Sequence, residues 1–178
     1  MKTGKKLLSV SAAYTTKNAS NRRELFINDL VKLFNWTVGA EIGVREGRTS
    51  FCLLNDNKTL KIYAVDKDIS QFYNSKIREK YKERLIALEG ISWEMSQGVA
   101  DESLDFVFID AGHGYKSVMK DLESWIPKLK KTGWLIGHDI NFPAVYQAVS
   151  ERCKDFKIGP DNVWFLSPSG DYTMLEKI

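Results

Sequence analysis

From residue 21 to residue 34, apolar side chains recur at Leu25, Phe26, Leu30, Leu33 and Phe34, the spacing of one helix face. Ser20 or Asn21 is placed to cap this helix, and Glu24 then supplies the carboxylate that reaches back in a capping box. A compact apolar run, Val38-Gly39-Ala40-Glu41-Ile42-Gly43-Val44, stops at a glycine-containing turn and predicts a strand, with a helix over 48–55 beginning near Gly47. Lys61–Asp66 predicts a second strand, 69–84 a polar helix, and Ile91–Met95 a third, weaker strand. Leu104–Asp110 is near-continuously apolar, as expected of a strand covered on both faces. Residues 115–130 bring Val118, Met119, Leu122, Trp125, Ile126 and Leu129 to one side of a helix. Gly133–Gly137 predicts a fifth strand and 142–153 another helix.

Strands that alternate with helices require crossover connections, so the fold class is α/β: a Rossmann-like, doubly wound, mostly parallel sheet with helices on both faces. Val163–Leu166 is a strand, Ser167–Asp171 a turn, and Tyr172–Glu176 can return antiparallel. Phe156–Ile158 is a further short strand candidate, and two of these three segments form the antiparallel C-terminal end. No internal repeat or linker interrupts the chain, and 178 residues correspond to about one domain. The expected organisation is a single domain over 1–178: a basic arm and helix over 1–37, a core over 38–166, and a turn and strand over 167–178.

Composition narrows the function classes. Hydrophobic residues are 43% and charged residues 28%, which excludes disorder, collagen and coiled coil as the main architecture. Apolar stretches of a few residues fall far short of the ~20 that a membrane span needs. No apolar segment of signal-peptide type follows the basic start, and two cysteines, Cys52 and Cys153, make no disulfide framework; a reducing, cytoplasmic setting is expected. The net charge of +3 is unevenly placed: residues 1–40 hold 7 Lys/Arg against 2 Asp/Glu, and the remainder 19 against 21. The basic arm is either a solvated face or a meeting point for an anionic substrate. No Lys/Arg run with interleaved aromatics points to nucleic acid.

In an open α/β sheet, ligands bind beyond the carboxyl ends of the strands, near the point where strand order reverses. The strand ends carry Glu41-x-Gly43-x-x-x-Gly47, then Asp66-Lys67-Asp68, then Ser96-Gln97, then Asp110 and His113, then His138-Asp139. Both histidines of the chain fall on this one edge. Gly43 permits close backbone approach to a ligand, and Gly47 a tight entry into the next helix. The motif differs from the G-x-G-x-x-G of dinucleotide sites, and its acid suits a ligand bearing an ammonium group better than a pyrophosphate. Asp66, 19 residues beyond Gly47, stands where a carboxylate can accept both hydroxyls of a ribose.

Glu41-Ile42-Gly43-Val44-Arg45-Glu46-Gly47 with Asp66 resembles the cofactor motif of class I S-adenosylmethionine-dependent methyltransferases. Leu104 to Tyr115, Asp121-Leu122 and Gly133-Trp134-Leu135-Ile136-Gly137-His138-Asp139 resemble the branch grouped with sugar and natural-product O-methyltransferases. The resemblance spans about 38–166 and is most specific over 104–139. It implies a cofactor site at Glu41, Gly43, Val44, Gly47, Asp66 and Lys67, with Ser96 and Gln97 near the adenine and Asp110 at the methionine end. The implied activity is methyl transfer from S-adenosylmethionine to a small-molecule acceptor, at oxygen, by in-line displacement, with positioning as the large contribution.

A hydroxyl acceptor needs a base, and His113 or His138 supplies one beside Asp110. Asp139 can orient an imidazole. Some related O-methyltransferases hold a divalent cation with acids after the fourth and fifth strands; here that set is Asp110, His138 and Asp139, and an imidazole in it disfavours magnesium. The minimal chain leaves the pocket roof to residues 1–37, to a partner subunit in a homo-oligomer, or to the substrate. The rival readings are a non-catalytic adenosine-ligand binding module, which would keep Asp66 without using the histidines, and a nicotinamide-dependent oxidoreductase.

Overall fold

The computed structural model describes residues 22–72 and 75–177, and the basic arm and the capping residues Ser20 and Asn21 lie outside them. Helix α1 (Arg22–Phe34) leads into β1 (Val38–Ile42), α2 (Arg48–Asp56), β2 (Lys61–Asp66), α3 (Ser75–Tyr81) and β3 (Leu85–Glu89). A single helical turn, α4 (Ser92–Met95), precedes β4 (Leu104–Ile109) and α5 (Tyr115–Trp125). The chain continues through β5 (Leu129–Gly137), α6 (Pro143–Arg152), β6 (Lys157–Ile158) and β7 (Trp164–Leu166), and Thr173–Lys177 forms a 3-10 turn.

The seven described strands form one sheet in the order β3-β2-β1-β4-β5-β7-β6. Strands β1 to β5 run parallel, β7 is antiparallel to β5, and β6 is antiparallel to β7. The order therefore reverses between β1 and β4, whose Ile42 and Ile109 lie side by side. Both faces of the sheet are covered. Phe26, Leu30 and Leu53 of α1 and α2 pack with Ile62, Phe106 and Phe108 on one face. Val118, Leu122 and Trp125 of α5, with Val145 and Val149 of α6, pack with Val107, Ile109 and Leu135 on the other. Alternate residues of β4 thus serve opposite layers, which is why that segment reads as continuously apolar. The mixed sheet with its antiparallel end matches the fold class expected from the sequence.

Three expectations are corrected. The third strand is Leu85–Glu89, and Ser92–Met95 is helical. Leu85 and the half-buried Ala87 and Leu88 carry that strand at the sheet edge, where the alternation is weak, so Ile91–Met95 mimicked it. The polar helix is shorter than 69–84, since Lys67–Phe72 is turn. The tail pairs Lys157–Ile158 with Trp164–Leu166, and Tyr172–Glu176 does not return as a strand. Its Tyr172 and Leu175 instead fold back onto the core, with Tyr172 edge-on to Trp134. Trp36 also belongs to the core, between Phe34, Phe106 and Trp134.

Candidate functional site

The reversal of strand order opens a cleft of about 470 Å³ above the carboxyl ends of β1, β2, β3 and β4. Gly43, Asp66, Lys67 and Asp110 stand in its wall, as the sequence suggests. Gly43 adopts φ +89°, and a Cβ there would collide with the Asp110 carbonyl, so only glycine lets the β1 turn pass this close to the end of β4. Its N–H donates to the Val65 carbonyl at 2.8 Å. The Arg45 N–H donates to Asp66 Oδ2 at 2.8 Å, and the Asp68 N–H to Oδ1 at 3.2 Å. Each Asp66 oxygen keeps a lone pair for a ligand hydroxyl.

Other motif residues build the loop without lining the cleft. Glu41 is buried, and its Oε2 accepts hydrogen bonds from the Ser50 N–H at 2.8 Å and from the Ser50 hydroxyl. Burial pushes its carboxyl up to about 8, with the Asp110 charge adding to the rise against the Ser50 hydrogen bonds. Glu41 is thus a neutral brace between β1 and α2, and the expected attraction for a ligand ammonium is not supplied by it. Desolvation outweighs the hydrogen bonds that favour the anion. Val44 is buried in the core, and Gly47 adopts φ +79° with Phe51 and Phe72 packed 2.6 Å from where a Cβ would stand.

Ser96 and Gln97 lie outside the wall: Ser96 is buried, with its hydroxyl bonded to the Trp93 carbonyl, and Gln97 points to solvent. Their place is taken by Gly90, Ile91, Ser92 and Trp93, because β3 ends earlier than the sequence suggests. Ser117 and Asp121 of α5 complete that side.

Asp110, in the cleft wall, also borders a second, smaller hollow, where His113, His138 and Asp139 converge on it. His113 Nε2 lies 2.6 Å from Asp139 Oδ2, and its ring stacks on Phe142 at 4.7 Å. His138 Nδ1 lies 3.1 Å from Asp139 Oδ1 and 3.5 Å from Asp110 Oδ1. Burial opposes its charge, but the Asp110 hydrogen bond and the charges of Asp110 and Asp139 prevail, so the His138 imidazole is shifted upward toward the cation. The donor atoms of Asp110, His113 and Asp139 lie within 4.8 Å of one another. His113 therefore stands where the sequence reading had His138 in a metal-type trio.

One residue of this corner was not singled out from the sequence. Arg23, on the first turn of α1, donates from Nη1 to Asp110 Oδ2 at 2.8 Å and lies 3.4 Å from His138 Nδ1. Its neighbour Glu24 is buried and takes Arg48 Nε at 3.0 Å. The excess of basic residues over 1–40 was the only signal for such a contact.

The site thus lies on the carboxyl edge of a mostly parallel α/β sheet, with Asp66 after β2 and an acid–imidazole corner after β4 and β5. The sequence model of a family described as "Methyltransferase domain" matches residues 40–140, over half the chain, and the protein belongs to that family. The resemblance to S-adenosylmethionine-dependent methyltransferases drawn from Glu41–Gly47, Asp66 and Leu104–Asp139 is thereby borne out. No curated protein sequence matches the chain. Among solved structures it is similar to a candidate caffeoyl-CoA O-methyltransferase of Staphylococcus aureus (18% identity, 90% of this chain and 89% of that one, TM-score 0.69). It is also similar to an O-methyltransferase of Bacillus cereus in complex with SAH (15% identity, 94% and 91%, TM-score 0.64). A methyltransferase of Geobacter sulfurreducens is comparably similar (15% identity, 90% and 86%, TM-score 0.64). At these identities the likeness is one of fold.

Proposed function

We propose that the protein transfers the methyl group of S-adenosylmethionine to a hydroxyl oxygen of a small-molecule acceptor. The observation that carries this reading is the cleft at the strand-order reversal, with Asp66 and Asp110 in its wall and His113 and Asp139 gathered beside Asp110 in the adjoining hollow. The residues suit the cofactor. Asp66 offers two free lone pairs to a ribose, Gly43 admits backbone contact with the amino-acid arm, and Lys67 borders the sugar. When bound, the cofactor supplies an electrophilic methyl on a sulfonium.

The protein's own part is positioning and proton removal. His113 sets Nε2 against Asp139, and its Nδ1, without a partner among the described residues, is the proton acceptor of this reading. His138, already biased toward its cation, is less available to accept a proton and serves with Arg23 to balance the charge of Asp110. The exposed Phe142 ring beside His113 offers the acceptor an apolar surface. Turnover of a panel of hydroxylated small molecules is the direct test. Cofactor binding retained with turnover lost in His113→Ala supports the enzyme. No turnover of any acceptor, in a protein that binds cofactor, returns the reading to a non-catalytic adenosine-ligand module.

A second reading rests on the trio itself. Two carboxylates and an imidazole suit a transition metal better than magnesium, and Asp110, His113 and Asp139 would hold it. The Arg23 guanidinium already delivers positive charge to Asp110, so the metal-free reading is preferred. Chelator treatment separates the two: turnover unchanged by EDTA supports the base, and loss restored by Mn²⁺ supports the metal.

The free thiols of Cys52 and Cys153, the latter pushed by burial up to about 11, fit a reducing, cytoplasmic setting. Among the described residues no helix is long and apolar enough to cross a membrane.

A further inference from the structure

Asp121 lies on the inward side of α5, is 1% exposed, and stands in the cleft wall. Its Oδ1 has no hydrogen-bond partner among the described residues. Beside it, Ser92 opens α4. Trp125 Nε1–H donates to Ser92 Oγ at 2.9 Å, so the hydroxyl proton is free to be donated onward, and it goes to the Asp121 carboxyl. Oδ1 is left unsatisfied by the described residues. A buried polar atom in that condition is costly, and packing alone would be served better by an alanine or leucine at this position of the helix. Burial pushes the Asp121 carboxyl up to about 6, so near pH 8 it is an anion and purely an acceptor.

What could donate to it follows from the rest of the wall. Asp66 claims the sugar, and a nucleoside-linked amino acid has two arms leaving that sugar. The amino-acid arm runs toward Gly43 and Asp110. The base arm is left with Gly90, Ile91, Ser92, Trp93, Ser117 and Asp121. An adenine presents a 6-amino donor at its edge, and a hypoxanthine presents a carbonyl there instead. Trp93, whose ring carries Lys120 Nζ at 4.4 Å over one face, stands in the same wall.

We propose that Asp121, oriented by Ser92 and Trp125, accepts a hydrogen bond from the cofactor's 6-amino group and makes the site select an aminopurine over an oxopurine. This rests on the cofactor reading above and moves to Asp121 the place beside the adenine that the family resemblance implied for Ser96 and Gln97.

Calorimetric titration near pH 8 with S-adenosylhomocysteine and with S-inosylhomocysteine tests it by affinity alone. The unmodified protein is expected to prefer the adenosyl ligand by about 10- to 100-fold, since a carbonyl facing a buried carboxylate leaves both acceptors unpaired. Asp121→Asn, whose amide can turn a donor toward the carbonyl, is expected to shrink that ratio to about threefold or less, and Ser92→Ala to shrink it partly. Equal affinity of the unmodified protein for both ligands overturns the proposal, and so does a ratio in Asp121→Asn that matches the unmodified protein, which would mark the residue as structural. Should Asp121→Asn fail to fold, the unmodified protein and Ser92→Ala still decide. Failure of both ligands to bind the unmodified protein is a different result, and sinks the cofactor reading.

Discussion

Two carboxyl groups near the cleft show how position decides chemistry. Glu41 and Asp66 both close the sheet's upper edge, yet one is sealed behind Ser50 and the other faces the cavity. Glu41 binds a proton more tightly in the folded protein, about 8 against an ordinary 4.5, so folding is favoured most below 4.5 and that contribution is lost as pH rises through 8. Glu41→Gln keeps an acceptor for Ser50 and removes the titration. Its unfolding free energy is expected to vary less between pH 5 and 8 than that of the unmodified protein, with the gain largest at the alkaline end; urea melts across that range check it. If Asp66 holds the ribose as proposed, Asp66→Ala removes two charge-assisted bonds, at about 1.5 kcal/mol or more each, and is expected to weaken S-adenosylhomocysteine binding by roughly 100-fold. Asp66→Asn, which keeps one acceptor, should lose less; calorimetry gives both values. The residue types of this site were legible in the sequence because strand ends and glycine spacing announce it. The protonation of Glu41 was not, since desolvation depends on atoms from other segments.

At the level of elements, the turn from β1 into α2 and the first turn of α1 do the shaping. Gly47 precedes α2 with φ +79°, and Phe51 and Phe72 close on it. Gly47→Ala adds both backbone strain and a steric conflict, and is expected to cost about 1–3 kcal/mol of stability, read as a lowered denaturant midpoint. Helix α1 brings Arg23 across 87 residues of sequence to Asp110. Arg23→Ala leaves Asp110 beside Asp139 without that guanidinium and is expected to reduce turnover by about tenfold or more while sparing cofactor affinity. Arg23→Lys should restore only part of the rate, because a lysine lacks the planar fork. A matched loss in the cofactor's dissociation constant would mean that Arg23 merely supports the fold. The expectation that the N-terminal helix roofs the pocket takes a specific form here: its contribution is a guanidinium at the chemical end.

For the whole molecule, the sheet order places every ligand-facing loop on one edge, and a ligand that binds there only in the folded state must stabilise it. At a hundredfold excess over its dissociation constant, S-adenosylhomocysteine is expected to add about 2.7 kcal/mol and raise Tm by roughly 5–10 °C, with NAD giving no shift. A thermal-shift comparison reads this, and a shift with NAD instead would favour the oxidoreductase. The sequence by itself determined the alternation of strands and helices, the parallel class, the Glu41–Gly47 turn, Asp66 and the two histidines on one edge, because these follow from periodicity and from glycine's conformational range along adjacent residues. Only the tertiary structure decided that β3 is Leu85–Glu89, that Ser92 and Asp121 stand in the wall where Ser96 and Gln97 were expected, and that Arg23 meets Asp110. The physical reason is common to all three. An edge strand has half its pattern supplied by solvent, and a side chain's partner across the fold is chosen by the packing of layers, which no local stretch of residues encodes.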